Sequence, residues 1–303
     1  MKFCDVEAFL AIVRSGSISQ AAASLYISQP TVSGRLRALE QELGTSLIRR
    51  KKGTRNIELT SKGEIFVPIA EQWIALNKSA HQIRYDEPVS TLTVGSPESL
   101  TNYRFFPFYQ MLAREEPSIC LEIRNCLSYE VYNLLRFGEI DIGFVYKPIE
   151  SKSVITKPLF FEPLRLICHS EASFEPGPIN PRELNPRNEI FFYWNEDFQR
   201  WHDLWWDPRT PSYIRIDAAA TVLSRFINDA RLWTICPSSI ADEICDGTKL
   251  VQRDLTNEPP GRTCYLIERR NYSPPNQRAL TLFKMRLSEY LTSIPVSDQS
   301  NSK

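Results

Sequence analysis

Apolar residues near the start of the chain recur every three to four positions, as they do on the buried face of a helix. Ser17 and Ser28 each precede one of these stripes as a predicted N-cap, and Pro30 falls in a first helical turn, where its missing N–H is not needed. The pattern predicts three short helices in succession. Their buried stripes are Val6, Phe9, Leu10 and Val13, then Ile18, Ala21, Ala22 and Leu25, then Val32, Leu36, Leu39 and Leu43.

The polar face of the third predicted helix carries short hydrogen-bonding groups and arginines, which are the groups that contact bases and phosphates in the DNA major groove. A solvated amphipathic hairpin is the alternative interpretation. Five cations between residues 49 and 55, around Gly53, argue for a basic wing instead. We therefore expect a winged helix-turn-helix whose DNA contacts come from Ser28, Gln29, Pro30, Thr31, Ser33, Gly34, Arg35, Arg37, Arg49, Arg50, Lys51, Lys52 and Arg55.

Residues 3 to 64 resemble the winged helix-turn-helix of the LysR-type transcriptional regulators. Gly34 departs from the family pattern, which often has arginine or another long polar residue there. A glycine inside a helix costs about 1 kcal/mol relative to alanine, so Gly34 marks either a close approach to DNA or a tolerated substitution, with Arg35 taking over the contact. The match is carried, without a gap, by Phe9, Ser15 to Ser17, Ala21, Ala22, Ser28 to Pro30, Val32, Ser33, Leu39, Glu40, Glu42 to Gly44, Leu47, Leu59, Thr60 and Gly63.

A longer apolar pattern close to a heptad repeat follows over residues 61 to 85. Thr60 is its predicted N-cap, and Pro68 inside the helix predicts a kink. A single helix with so little else to pack on is expected to pair with a second copy of itself, and the alternative is an intramolecular core helix. The predicted dimerisation residues are Ile65, Ile69, Trp73, Leu76 and Ile83.

From about residue 88 the pattern changes to short apolar strands that alternate with helices. This alternation predicts an α/β fold with a mainly parallel sheet. The predicted strands cover residues 92–95, 121–123, 140–146, 164–168, 190–193, 213–216, 233–236 and 264–268, and the predicted helices cover 105–114, 129–137, 221–229 and 277–291.

This second part resembles the effector-binding region of LysR-type regulators, which is similar to periplasmic binding proteins, and the segment from Phe137 to Phe144 is particularly like it. The resemblance implies an α+β multidomain protein. A mainly α winged helix-turn-helix at 1–60 and a linker and dimerisation helix at 61–87 would precede a two-subdomain α/β effector-binding region at 88–303. Subdomain I is expected at about 88–162 and 265–303, and subdomain II at about 163–264.

Ligands of open α/β sheets bind beyond the carboxyl ends of the strands, where helix N-termini offer free amides. Polar and aromatic residues at such positions are the candidates, although each could serve only as a helix cap or a core residue. Glu98 disfavours a carboxylate ligand unless it is neutralised, so the charge of the effector stays open. The aromatic run between residues 191 and 206 suits either a flat effector or a protein contact. The predicted effector residues are Ser96, Glu98, Ser99, Thr101, Cys126, Ser128, Phe144, Tyr146, Tyr193, Trp194, Ala218, Thr221 and Pro237.

The formal net charge of the chain is zero, but it is unevenly distributed. Residues 1 to 66 carry ten Lys or Arg against six Asp or Glu, a net +4, and the remainder carries 26 against 30, a net −4. Because attraction to phosphate is screened within about 8 Å at physiological salt, this local excess favours DNA binding by the N-terminal part. No apolar run approaches a membrane span and no signal-peptide core is present, so we expect a cytoplasmic protein.

The chain has seven cysteines and three histidines, and no two cysteines form a Cys-x-x-Cys pair. We therefore expect no metal site and no cofactor. The first alternative function is a redox-responsive regulator that would use Cys236 and Cys245. An α/β enzyme is a remote alternative, because no dinucleotide, Walker or Gly-x-Ser-x-Gly motif occurs. A solute-binding protein would need a signal peptide. The resemblance implies instead a regulator that binds double-stranded operator DNA as a homodimer or homotetramer, contacts RNA polymerase and responds to a small-molecule effector.

Overall fold

The computed structural model of the chain describes residues 1–50, 57–82, 90–216, 223–227, 229–270 and 276–293. Within these residues, a three-helix domain with a β-ribbon is followed by a long helix and then by two lobes built on β-sheets. No helix in these ranges is long and apolar enough to cross a membrane.

Three helices pack around one core at the N-terminus. Of the apolar stripe predicted for the third helix, only Leu43 is not buried, with 36% of its surface exposed. It lies in the last helical turn, which Gly44 ends in the left-handed conformation at φ 64°. The helices are α1 (Phe3–Ser15), α2 (Ile18–Ser24) and α3 (Gln29–Leu43).

The predicted helix caps are confirmed. The Ser17 hydroxyl accepts a hydrogen bond from the Gln20 amide at 3.1 Å, and the Ser28 hydroxyl accepts one from the Thr31 amide at 3.3 Å. Each cap satisfies one of the amides that a helix N-terminus leaves without an intrahelical partner. The turn between α2 and α3 contains Tyr26, a non-glycine residue at positive φ that is 95% exposed.

A two-stranded antiparallel ribbon follows α3, in the place predicted for the wing. It consists of β1 (Ile48–Arg50) and β2 (Ile57–Leu59), with Arg49 opposite Glu58. The long helix α4 (Ser61–Gln82) begins directly afterwards, and the Thr60 hydroxyl caps it by accepting from the Gly63 amide at 3.0 Å. Gly63 is required here, because a Cβ at this position would collide with the backbone carbonyl of Leu47.

The rest of the chain alternates between strands and helices. The strands are β3 (Ser90–Ser96), β4 (Ile119–Asn125), β5 (Ile142–Val145), β6 (Val154–Glu162), β7 (Leu164–His169), β8 (Ile190–Phe192), β9 (Ile214–Ile216), β10 (Trp233–Pro237), β11 (Leu250–Arg253) and β12 (Arg262–Arg269). The helices are α5 (Phe106–Glu115), α6 (Ser128–Arg136), α7 (Glu196–Trp205), α8 (Leu223–Phe226), α9 (Ser238–Cys245) and α10 (Gln277–Ser293), with a π-helical turn at Leu100–Arg104 and 3-10 turns at Pro181–Glu183 and Pro186–Asn188.

Among the described residues, the strands form one sheet in the first lobe and two separate sheets in the second. The first lobe has the order β4-β3-β5-β12-β6, in which β3 runs parallel to β4 and β5, whereas β12 is antiparallel to β5 and β6. In the second lobe β7 lies between β10 and β11 and is antiparallel to both, while β8 and β9 form a parallel pair. The predicted parallel arrangement is therefore correct for β3, β4 and β5 and for the β8-β9 pair, whereas the other strand pairs of the two lobes are antiparallel. The chain crosses between the lobes twice, from β6 to β7 and from β11 to β12.

Helix α7 and strands β6 and β11 were not predicted from the sequence. Helix α7 contributes aromatic side chains to the core of the second lobe, where they pack against Trp233. The aromatic run therefore serves mainly as a packing core, and its members Phe191, Phe198, Trp201 and Trp206 are buried.

Candidate DNA-binding surface and effector cleft

The start of α3 is held in place by local hydrogen bonds. The hydroxyls of Ser28 and Thr31 lie 2.7 Å apart, and the Gln29 side-chain amide donates to the Ser19 hydroxyl of α2 at 2.9 Å. All four of these residues and Pro30 are exposed. The N-terminal turn of α3 thus presents an ordered polar surface to solvent, with its backbone amides next to it.

The remaining predicted DNA-contact residues differ in exposure. Gly34, Arg37 and Arg49 are exposed, whereas Ser33 and Arg35 are half-buried. A Cβ at Gly34 would meet no atom within 4 Å, so no contact inside the chain requires glycine there. Arg50 ends β1, but its side chain lies outside the described structure, as do the residues Lys51, Lys52 and Arg55.

Helix α4 has apolar residues on two faces. Phe66 and Ala70 are buried against the three-helix core, and Trp73 is half-buried on the same side, with its ring centroid 6.1 Å from that of Phe3. Trp73 therefore does not share the exposed stripe predicted for dimerisation, and Ile83 lies outside the described residues. The stripe itself is exposed by 60%, 49% and 63% at Ile65, Ile69 and Leu76.

An arginine side chain of α1 contacts the first lobe. Arg14, in the last turn of α1, forms an ion pair with Glu139 at 2.9 Å and donates to the Phe137 carbonyl at 3.1 Å. Its guanidinium also lies 5.0 Å from the centre of the Phe137 ring. Three groups in the turn between α6 and β5 thus contact the Arg14 side chain: a carboxylate, a carbonyl and an aromatic ring.

Glu71 of α4 lies close to the same contact. Burial raises the pKa of Glu71 to about 7, against the opposing effect of the nearby cations Arg269, Arg14 and Arg136. No hydrogen-bond donor among the described residues reaches its buried Oε1 atom. The carboxyl therefore changes charge near neutral pH, under the electrostatic influence of arginines from both the N-terminal domain and the first lobe.

Several of the predicted effector residues meet between the lobes. Ser96 and Thr101 are buried and their hydroxyls lie 2.6 Å apart, so each is a hydrogen-bond partner of the other. Ser99, Tyr146 and Trp194 surround the guanidinium of Arg262, which lies 3.7 Å from the Tyr146 ring centre and 5.2 Å from that of Trp194. The Ser99 hydroxyl is 3.5 Å from Arg262 Nη2.

Two charged residues that the sequence analysis did not single out lie at the centre of this group. Glu162 is the last residue of β6 and Arg262 is the first residue of β12, and both are buried. Arg262 Nη2 forms an ion pair with Glu162 Oε2 at 2.8 Å. We call Ser99, Tyr146, Glu162, Trp194, Ser239 and Arg262 the cleft cluster. The sequence does give one signal for Glu162, because it is an acidic residue within the otherwise apolar run from Phe160 to Leu164.

The other predicted effector residues take different positions. Phe144 is buried in the first-lobe core, 4.3 Å from Phe105 between ring centroids, because every residue of β5 is buried. It therefore does not line the cleft. Tyr193 is 51% exposed. The Ser128 hydroxyl accepts from the Tyr146 amide at 3.2 Å.

Glu98 is half-buried and accepts a hydrogen bond from the Asn102 side-chain amide. The Cys126 amide donates to the Ser96 carbonyl at 3.0 Å, which keeps this residue beside the end of β3. Pro237 directly precedes α9, next to the cleft cluster. Ala218 and Thr221 lie outside the described residues.

The two cysteines considered for a redox response are both protonated thiols at neutral pH. Burial raises the pKa of Cys236 well above its ordinary value, and burial together with Asp242 raises the pKa of Cys245 to about 11. Because the thiolate is the reactive form, this environment disfavours oxidation of either residue.

Comparison with known proteins agrees with the geometry. The family model for the bacterial regulatory helix-turn-helix protein, lysR family, matches residues 3–64, and the model for the LysR substrate binding domain matches residues 86–287. The chain belongs to the LysR family. This LysR-family chain is therefore a DNA-binding transcriptional regulator with a helix-turn-helix and an effector-binding domain, and it is not an enzyme.

Relatives of this LysR-family chain include the HTH-type transcriptional regulator HdfR of Yersinia pestis (strain Pestoides F). That protein is 28% identical over 203 residues, which cover 64% of this chain and 67% of HdfR. Among solved structures, a variant of full-length OxyR from Pseudomonas aeruginosa has a TM-score of 0.65 at 21% identity, covering 100% of this chain and 99% of the other. Full-length CbnR complexed with its target DNA has a TM-score of 0.50 at 21% identity, covering 95% and 100%. These similarities show a shared fold.

Proposed function

We propose that this regulator binds a partly palindromic operator as a homodimer or homotetramer, and that a small molecule in the cleft between the lobes changes how it contacts DNA or RNA polymerase. The observation that carries the proposal is the pair of exposed surfaces in the N-terminal part. Helix α3 exposes polar groups and Arg37, and α4 exposes the apolar stripe of Ile65, Ile69 and Leu76. One surface suits DNA and the other suits a second copy of the chain.

The α4 stripe supports self-association because its residues follow a spacing of four and seven along the helix, which places them on one side. Pairing two such helices would present two copies of α3 to successive turns of a DNA duplex, about 34 Å apart. A solved structure of full-length CbnR complexed with its target DNA supports DNA binding by this LysR-family chain. We also propose that the DNA-binding domain ends at residue 60 and that the linker helix ends at residue 87.

Control by an effector would follow from the position of the cleft cluster between the lobes. A ligand that binds one arrangement of the lobes more tightly than another shifts the population towards it, by an amount set by the difference in affinity. Because Arg14 joins the first lobe to α1, a change in the first lobe has a direct route to the DNA-binding domain.

Substitution of the exposed stripe tests self-association. Leu76→Glu and Ile69→Glu are expected to shift the protein towards monomers in analytical ultracentrifugation and to weaken operator binding. Leu204→Glu is the matched control, since Leu204 is 82% exposed on α7. Unchanged assembly in both α4 variants would refute the proposed dimer helix.

A cysteine-based redox response is the alternative within the same family. The raised pKa values of Cys236 and Cys245 weigh against it. If hydrogen peroxide altered DNA binding by the wild-type protein but not by a Cys236→Ser, Cys245→Ser variant, the redox function would replace the effector-based one.

A further inference from the structure

The cleft cluster is organised around a carboxylate that belongs to the chain itself. Glu162 and Arg262 lie at the two places where the chain passes between the lobes, at the end of β6 and the start of β12. The side chain of Glu162 is completely buried, and that of Arg262 is 4% exposed. A buried carboxylate needs several hydrogen-bond donors to offset the loss of water, and this one has them.

Donors from both lobes converge on the two oxygens of Glu162. Oε2 accepts from Arg262 Nε at 2.8 Å and from the Tyr146 hydroxyl at 3.1 Å. Oε1 accepts from the Ser239 amide at 3.3 Å and from the Ser239 hydroxyl. Tyr146 directly follows β5 of the first lobe, whereas Ser239 lies in the first turn of α9 in the second lobe. The carboxylate thus bridges the lobes.

The surrounding charges keep this carboxylate ionised. Burial alone would raise the pKa of Glu162, but Arg262, the Ser239 hydrogen bond and Arg104 together hold it below the ordinary value. The Arg262 guanidinium lies between the Tyr146 ring, packed on the first-lobe core, and the Trp194 ring, packed on the second-lobe cores. Tyr103 of the π-helical turn also packs against the second lobe. Anion and cation are therefore both held by groups from two lobes.

We propose that these donors form a carboxylate-binding site of which Glu162 is the resident ligand, so that the lobes are held together without an added molecule. A small organic carboxylate is the class of effector that can compete for the same donors. Because Glu162 is attached to the site, its effective concentration is high, and a free carboxylate competes weakly in the wild-type protein. The inference rests on the proposed function in one respect, that the cleft controls DNA binding.

Glu162→Ala with acetate tests the site, because acetate replaces the methylene and carboxylate that this substitution removes. Sodium acetate is exchanged for sodium chloride at constant ionic strength, and thermal unfolding is followed. We expect a saturable rise of several degrees in the Tm of Glu162→Ala, and no comparable rise for the wild-type protein. Acetamide, a neutral molecule of the same shape, is the control ligand, and an acetate effect no larger than that of acetamide would overturn the proposal.

Glu162→Gln provides a second test that opens no cavity and applies even where Glu162→Ala does not fold. The amide keeps the side-chain shape but loses the negative charge that pairs with Arg262, and its NH2 group cannot accept the hydrogen bonds that one carboxylate oxygen accepted. We expect faster amide hydrogen exchange over Ser238–Cys245, unchanged exchange in α1, and no recovery with acetate. Wild-type exchange rates in α9 would overturn the bridging role.

DNA binding by Glu162→Ala, measured with and without acetate, separates this inference from the proposed function. Acetate that restores both the Tm and the wild-type DNA affinity supports the two together. If acetate restores the Tm of Glu162→Ala but its DNA affinity is the same with and without acetate, the carboxylate site is supported. Control of DNA binding through the cleft is then refuted.

Discussion

The arginines of the N-terminal domain and the arginine of the cleft have opposite environments. Arg37 on α3 is exposed to solvent, whereas Arg262 is buried, paired with Glu162 and enclosed by two aromatic rings. An exposed cation remains available for phosphate or a base edge, and a buried one is committed to the internal structure. The same residue type is thus available to a partner in one region and committed to the fold in the other.

The largest expected effect comes from breaking the buried pair. Arg262→Ala is expected to lower the free energy of unfolding by about 3–5 kcal/mol, because Glu162 would stay buried without its cation. Urea unfolding followed by tryptophan fluorescence measures this, since Trp194 lies at the cleft. Arg231→Ala is the control: Arg231 pairs with Asp229 on the surface at 2.7 Å, and its loss should leave the midpoint unchanged. Equal midpoints for both variants would contradict the contrast between the two environments.

An exposed arginine should show the reverse behaviour. Arg37→Ala is expected to weaken binding to a genomic fragment retained by the wild-type protein by about 1–3 kcal/mol, roughly 5- to 150-fold, with the unfolding midpoint unchanged. Titrations at several salt concentrations measure the affinity and its salt slope, and Arg50→Ala should reduce that slope by about 1. Arg187→Ala, an exposed site in the second lobe, is the control. Binding as tight as that of the control would remove Arg37 from the DNA interface.

The junction of the two regions should respond to pH through Glu71. Because burial raises the pKa of Glu71 from 4.5 to about 7, the folded protein holds this proton more tightly than the unfolded chain does. Its stabilising contribution is complete below pH 4.5 and is lost as the pH rises through 7. Glu71→Gln should match the wild type at pH 4 and exceed its stability at pH 8, by about 1–2 kcal/mol after allowance for partial exposure. A difference in Tm that is the same at both pH values would refute the shift.

The contact between the two regions should contribute less. Arg14→Ala is expected to cost about 1 kcal/mol or less, because the ion pair with Glu139 is partly exposed and screened. Calorimetry should show a larger difference between the melting temperature of the N-terminal domain and that of the lobes. Arg114→Ala, at an exposed position on α5, should leave the profile unchanged. Identical profiles for both variants would show that Arg14 does not couple the regions.

The smallest expected effect is at Gly34 on α3. Gly34→Ala should raise the free energy of unfolding by about 0.5–1 kcal/mol, because alanine favours a helix and the position has open space around it. DNA affinity is expected to stay the same, as for a tolerated substitution. A fall in affinity together with the gain in stability would instead show that glycine allows the backbone to approach DNA closely.

The helices of the N-terminal domain were predictable because their signals are local. A cap and the amide that it satisfies lie three residues apart, as in Ser17 with Gln20 and Ser28 with Thr31. The burial of Leu43 was predicted wrongly, since a helical stripe does not show where the neighbouring helices end. For Trp73, the pattern placed an apolar residue on α4 but did not say against which partner it packs.

The cleft was only partly predictable. Positions beyond strand ends suggested Ser99, Tyr146 and Trp194, and the structure brings these three to one guanidinium. Phe144 was misplaced, because an apolar strand gives no sign of which residue faces the cleft. Glu162 and Arg262 were missed altogether, since they are 100 residues apart and no periodicity links them.

The amino-acid sequence by itself determined the class of protein, the order of its parts and the polar face of α3, because caps, helical spacing and a run of cations act over a few residues. Only the tertiary structure decided which charges are available to a partner and which are buried against each other. Two crossings of the chain between the lobes bring Glu162 and Arg262 together, and that pairing depends on the folded path of the backbone.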